Sequence, residues 1–260
     1  MILKTMDPKL ESPNKRLGLL PNTTWQGIVI HYTAGASYEG SLNWLKNPKS
    51  QASAHFIVDR DGDFEQLVGV DNRAWHAGES SFLGRTNTNN FMLGIEIANV
   101  GPIILSKGSL TDSSGNPFKG STVATTDHNI YHAKQFESFS SLQVQTVAGL
   151  CNELIELFKI PSHYIVGHEN VSYGRKGDPG PAWNWTTFNK LINHQYNTTY
   201  SLNSAIQSLL ENYGYDVGFI DGIWGKNSQK ALERFCIDKN QILSADLEYM
   251  LETLLNHRKG

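Results

Sequence analysis

Residues 24–33 read TWQGIVIHYT, an apolar run, Ile28-Val29-Ile30, that ends abruptly on His31 and other polar residues. A short apolar run bounded by polar and glycine residues has the pattern of a buried strand. Working outward, SAHFIVD (53–59) and DFEQLV (63–68) read as two strands around the turn Asp61-Gly62, and MLGIEIANV (92–100) as a further strand. HYIVGH (163–168) is another strand-like run. SYEGSLNWLKN (37–47) suits an amphipathic helix. Ser140-Ser141-Leu142-Gln143 is a capping box, opening a helix on which Leu142, Val147, Leu150, Cys151, Leu154, Ile155 and Phe158 recur at helical spacing. Pro161 stops it. Strands alternating with helices predict an α/β domain, a mixed central β-sheet flanked by helices, over residues 1–195. The Gly-, Ser- and Thr-rich stretch 101–127 reads as an insertion or mobile loop.

Beyond a polar linker at 196–201 the periodicity becomes purely helical. LNSAIQSLLENYG, NSQKALERFC and ADLEYMLETLLN predict a small all-α three-helix domain over 202–260. The chain has 260 residues, 39% hydrophobic and 18% charged, enough apolar material for a packed core. Its formal net charge of -3 speaks against nucleic acid as a partner, and no basic stripe accompanies a reading helix. No stretch approaches the ~18–20 apolar residues of a membrane span. The N-terminus turns polar after three residues, so the chain as written is expected to be soluble and leaderless. Cys151 and Cys236 fall in apolar helical patterns and read as buried free thiols, a poor setting for a nucleophile.

The chemistry concentrates in GHENVSYGRKGDPGPAW, which begins at Gly167 and carries His168, Lys176 and Asp178 on a Gly- and Pro-rich loop. A hydrolytic zinc site needs three protein ligands and one open position. His168 and Asp178 are candidates for two of these, and His31, at the end of an apolar strand, is the best candidate for the third. Each alone has an ordinary reading, a structural histidine or a turn aspartate. Strand alternation sets Gly94, Glu96 and Ala98 opposite Ile95 and Ile97. A carboxylate in so apolar a strand is costly unless it is paired or lies beside a cation, or faces solvent at a sheet edge. Next to a metal it could act as a base.

IVIHYTAG, SAHFIVDRDG, AWHAG, GIEIAN and GHENVSYGRKGDPGPAW together resemble the zinc-dependent N-acetylmuramoyl-L-alanine amidases of the AmpD/AmiD type, in the family's order and over roughly residues 20–195. That resemblance implies the fold shared with T7-type lysozyme and the peptidoglycan recognition proteins. It implies one Zn²⁺ per chain held by His31, His168 and Asp178, with Glu96 as the catalytic carboxylate and Lys176 as the lysine that stabilises the oxyanion. His55, Trp75 and His76 fall in family motifs as groove-lining or second-shell residues. The implied reaction is hydrolysis of the amide between N-acetylmuramic acid and L-alanine in peptidoglycan or muropeptides. The alternative is a non-catalytic recognition protein on the same fold.

LNSAIQSLLENYGYDVGFIDGIWGKNSQKALERFC resembles the three-helix peptidoglycan-binding module attached to many wall hydrolases, through Gln207, Leu209, Leu210, Trp224, Gly225, Ala231 and Phe235. A purely structural cap is the other reading of this segment. A wall-binding module implies the cell envelope, whereas the polar N-terminus implies the cytoplasm.

Overall fold

The computed structural model describes residues 7–21, 23–106, 108–124, 133, 135–192 and 199–257. Residues 125–127 of the expected insertion and 196–198 of the expected linker lie outside them. The central sheet is built from β1 (Gly27–Tyr32), β2 (Phe56–Val58), β3 (Phe64–Gln66), β4 (Met92–Ile97) and a C-terminal strand, Ile165–Gly167. The stretch expected to be loop instead contributes β5 (Pro102–Ser106), β6 (Ser109–Thr111) and β7 (Thr122–Ala124), which join β8 (Gln135–Glu137) in a second, antiparallel sheet ordered β6-β5-β8-β7. Ile165–Gly167 is therefore β9, and the central order is β9-β1-β4-β2-β3, parallel except for the hairpin β2-β3. The Gly, Ser and Thr content hides these strands: Ile103-Ile104-Leu105 is a short apolar run, and pairing with β6 and β8 gives the stretch its order.

Parallel strands are buried on both faces, so they read as continuous apolar runs. Helix α1 (Tyr38–Lys46) follows β1, capped by the Ser37 hydroxyl, which accepts from Gly40 N at 3.1 Å. Helix α2 (Ser141–Phe158) carries the expected capping box: Ser140 Oγ accepts from Gln143 N at 3.1 Å, and Gln143 Oε1 accepts from Ser140 N at 3.0 Å. Val147, Leu150, Cys151, Leu154 and Ile155 are buried in the core with Ile28, Ile30, Leu93 and Ile95. Leu142, placed on the same stripe by spacing, is instead 51% exposed, because the buried face runs through Gln143, Val147, Leu150 and Leu154, and Leu142 lies about 100° round the helix from Gln143. HYIVGH is only partly strand: a 3₁₀ turn covers Ser162–Tyr164, and His168 begins the short helix α3 (His168–Val171).

After α4 (Trp185–Asn189), the three expected helices appear as α5 (Thr199–Asn212), α6 (Lys226–Asp238) and α7 (Leu247–Asn256). Helix α5 begins at Thr199, inside the segment read as linker. Buried Gln207 organises the turn between α5 and α6: its Oε1 accepts from Gly222 N at 2.9 Å, and its Nε2 donates to Ile223 O and Ser228 Oγ. Gly222 has φ +75°, a conformation open to glycine without strain. The helical unit does not stand apart. Leu202, Ala205, Ile206, Leu209 and Leu210 share one apolar cluster with Trp25, Tyr164 and Val171. Asn212 Nδ2 donates to Asn170 O at 2.6 Å, and Leu83 N donates to Ser208 Oγ at 2.8 Å. No helix among the described residues is long and apolar enough to cross a membrane.

Candidate metal centre

The parallel register sets His31 directly beside Glu96 on neighbouring strands β1 and β4, near their C-terminal ends. Strand β9 lies on the other side of β1 and delivers His168 one residue past its own end. Asp178 returns to the site because the loop after α3 folds back on the helix: Glu169 N donates to Asp178 O at 2.9 Å. The three donor atoms meet at one point. His31 Nδ1 is 3.0 Å from His168 Nδ1 and 2.9 Å from Asp178 Oδ2, and His168 Nδ1 is 3.0 Å from the same oxygen. All three residues are buried, and they form a group able to hold a metal ion.

The hydrogen bonds behind this triangle decide what it presents. His76 Nε2 donates to Met92 O at 3.0 Å, so His76 Nδ1 is left as an acceptor. His31 Nε2 lies 3.0 Å from that nitrogen and must be the donor, which leaves His31 Nδ1 with a lone pair. His168 Nε2 donates to Ala77 O at 2.9 Å, which leaves its Nδ1 likewise. Two imidazole lone pairs and a carboxylate oxygen thus converge with no proton assigned between them, the donor set of a cation. A tetrahedral zinc with ligand bonds of ~2.0–2.1 Å spaces neighbouring ligands about 3.3 Å apart, close to the spacing seen. The residues fit the ion.

The electrostatics agree. Burial, with the charge of His168 next, lowers the His31 pKa to about 4. Burial also raises the Asp178 carboxyl, but the charge and hydrogen bonds of His168 and His31 outweigh it and hold Asp178 below the usual carboxylate range. Glu96 is pushed up to about 8 by burial and by the charge of Asp178, with Lys176 pulling the other way. Among the described residues its buried Oε2 has no hydrogen-bond partner. Lys176 is half-buried on the same loop as Asp178, and its charge acts on both Glu96 and His31.

The remaining expected residues divide. His76 stands directly behind His31. His55 is part of the core: its Nδ1 accepts from Gly94 N at 2.9 Å, its Nε2 donates to Asn72 O, and burial lowers its pKa to about 4. Trp75 is half-buried and tied through its backbone to Ser53. Sequence reading overlooked Asn89, whose Oδ1 accepts from His76 N and Ala77 N. In the run Asn87-Thr88-Asn89-Asn90 nothing distinguishes this asparagine from its neighbours. Both cysteines are free and buried, and burial pushes the Cys151 thiol up, away from nucleophilic use.

The chain is 34% identical over 142 residues to the 1,6-anhydro-N-acetylmuramyl-L-alanine amidase AmpD of Citrobacter freundii, spanning 55% of this chain and 58% of that protein. It thus spans somewhat over half the length of that curated relative. AmpD of Haemophilus influenzae is 31% identical over 179 residues, covering 62% of this chain and 79% of its own. A solved complex of the amidase AmiD from E. coli, with the substrate anhydro-N-acetylmuramic acid-L-Ala-D-gamma-Glu-L-Lys, shares the fold at a TM-score of 0.53 and 21% identity, covering 86% of this chain and 93% of that one. The profile of the N-acetylmuramoyl-L-alanine amidases (Amidase_2) matches residues 21–181, a span that holds His31, Glu96, His168, Lys176 and Asp178, and the chain belongs to that family.

Proposed function

We propose that this chain is a zinc-dependent N-acetylmuramoyl-L-alanine amidase, cutting the amide between N-acetylmuramic acid and L-alanine in peptidoglycan or muropeptides. The observation that carries the reading is the convergence of His31 Nδ1, His168 Nδ1 and Asp178 Oδ2 beside Glu96, whose buried Oε2 has no hydrogen-bond partner among the described residues. Bound zinc supplies the positive charge that activates water and polarises the scissile carbonyl. Glu96 takes the proton of the attacking water and passes it to the leaving amine. Its place on β4 directly beside His31 sets the carboxylate within the candidate centre, as a general base requires. The Lys176 ammonium stabilises charge growing on the carbonyl oxygen, a contribution of ~2.7–4 kcal/mol for a donor so placed. Burial of the site keeps water from weakening these interactions.

The sheet domain forms the catalytic unit, and helices α5 to α7 form a module for docking on the wall. Phe219 and Ile223, 87% and 66% exposed around the turn that Gln207 holds, supply apolar surface for such docking. This role fits action in the cell envelope. The test compares the parent with Glu96→Gln and His168→Ala, measuring zinc by atomic emission and released peptide by mass spectrometry on sacculi and on anhydromuropeptide. Glu96→Gln should keep its zinc and lose turnover by ~10²–10⁴, and His168→Ala should lose both. An active Glu96→Gln enzyme would remove the base. A parent that binds zinc and substrate without cleavage would make the chain a recognition protein instead.

A further inference from the structure

His31 stands on β1 and His168 opens α3, yet both are held from behind by two consecutive residues. His31 Nε2 donates to His76 Nδ1, and His168 Nε2 donates to the carbonyl oxygen of the next residue, Ala77. His76 and Ala77 lie outside helix and strand, so no ladder of backbone bonds positions them. Their N–H groups converge on one atom, Asn89 Oδ1, at 3.2 and 2.8 Å.

Asn89 is itself well anchored. It sits in the 3₁₀ turn Thr88–Asn90, immediately ahead of the strand that carries Glu96. Ser80 pins that turn, its Oγ accepting from Thr88 N at 3.1 Å and its carbonyl from Asn87 N at 2.8 Å. The His76 ring is fixed from its far side by Met92 O. Arg175 Nη2 and Ser172 Oγ also donate to Ala77 O, at 2.6 and 3.5 Å, so this carbonyl serves three donors and its placement matters beyond His168.

We propose that Asn89 is a positioning residue for the metal centre: its carboxamide oxygen holds His76 and Ala77 so that the two acceptors they offer turn both imidazoles with Nδ1 toward the ion. The inference rests on reading the site as a zinc centre. A ligand imidazole binds well only when its other nitrogen is held by an acceptor, and loss of such support costs about 10–100-fold in metal affinity. Asn89 supports two ligands at once without touching either.

The experiment measures zinc affinity of the full chain by competition with a chromogenic chelator, for the parent, Asn89→Ala and Asn89→Asp. Asn89→Ala should bind zinc about 10–100-fold more weakly, while Asn89→Asp, which keeps an accepting oxygen, should return toward the parent. Nitrogen-15 NMR of the zinc-loaded proteins reads the second consequence: the Nε2–H protons of His31 and His168 should exchange slowly in the parent and fast in Asn89→Ala. Parental affinity in Asn89→Ala overturns the proposal, as does an Asn89→Asp chain as weak as Asn89→Ala. Should Asn89→Ala fail to fold, the parent and Asn89→Asp decide: slow exchange at both Nε2–H groups in both proteins supports the clamp, and fast exchange at either ring overturns it. A parent that binds no zinc removes the metal reading itself, a failure distinct from tight binding that is indifferent to Asn89.

Discussion

Four groups at and behind the candidate metal centre titrate differently in the folded and unfolded chain between pH 4 and 8, and they pull stability in opposite directions with pH. His31 and His55 are lowered to about 4, and His76 is lowered well below 6.5 by burial and by its histidine neighbours. Between pH 6.5 and 4 the unfolded chain takes up protons at these rings that the folded chain refuses, so stability falls as pH falls through that window. Glu96, raised from 4.5 to about 8, acts in the other sense: folded, it keeps a proton that the unfolded chain has released, so stability falls as pH rises from 4.5 toward 8. The zinc-free chain should therefore be most stable near neutral pH, with a steeper loss on the acid side, where three groups act against one. Urea melts in the presence of chelator at pH 5, 6.5 and 8 check this; a stability still rising from pH 6.5 to 8 contradicts the placement of Glu96.

At the level of elements, two sites carry testable weight. In β4, Gly94 leaves room for His76: a Cβ there would lie 2.4 Å from the ring's Cγ. Gly94→Ala should displace His76 from behind His31, lowering zinc affinity about tenfold or more and stability by about 1–3 kcal/mol through overpacking. Chelator competition and thermal melts measure the two effects, and unchanged affinity would detach His76 from the metal site. In α2, Ser140 both caps the helix and donates from its Oγ to Arg60 O at 2.7 Å. Ser140→Ala should cost about 1 kcal/mol and leave zinc binding intact, since the Ser140 side chain bonds to Gln143 and Arg60, neither of which touches a candidate ligand. A urea melt beside the same chelator assay reads both.

Across the whole molecule, the helical unit and the sheet domain share an apolar core, and Asn212 bonds to both Ser81 and Asn170. Units joined by a continuous core unfold together. Calorimetry should show one transition with matching calorimetric and van't Hoff enthalpies, and Asn212→Ala should lower its midpoint. Two separated transitions would mean that α5 to α7 form an autonomous unit.

Much of this was legible in the residues themselves. Apolar runs mark the central strands because parallel strands are buried on both faces, and alternation places Glu96 opposite Ile95 and Ile97. The capping box marks the start of α2, and family motifs mark His31, His168 and Asp178. Such features are local, carried by residue type and spacing. The pairing that orders β5 to β7, the packing of α5 against the sheet domain, and the hydrogen-bond chain from Met92 through His76 to His31 all join residues distant in sequence. Only tertiary structure decides that Asn89, among similar neighbours, holds the two residues behind His31 and His168, because a carboxamide finds its role through what folding brings into hydrogen-bond reach of it.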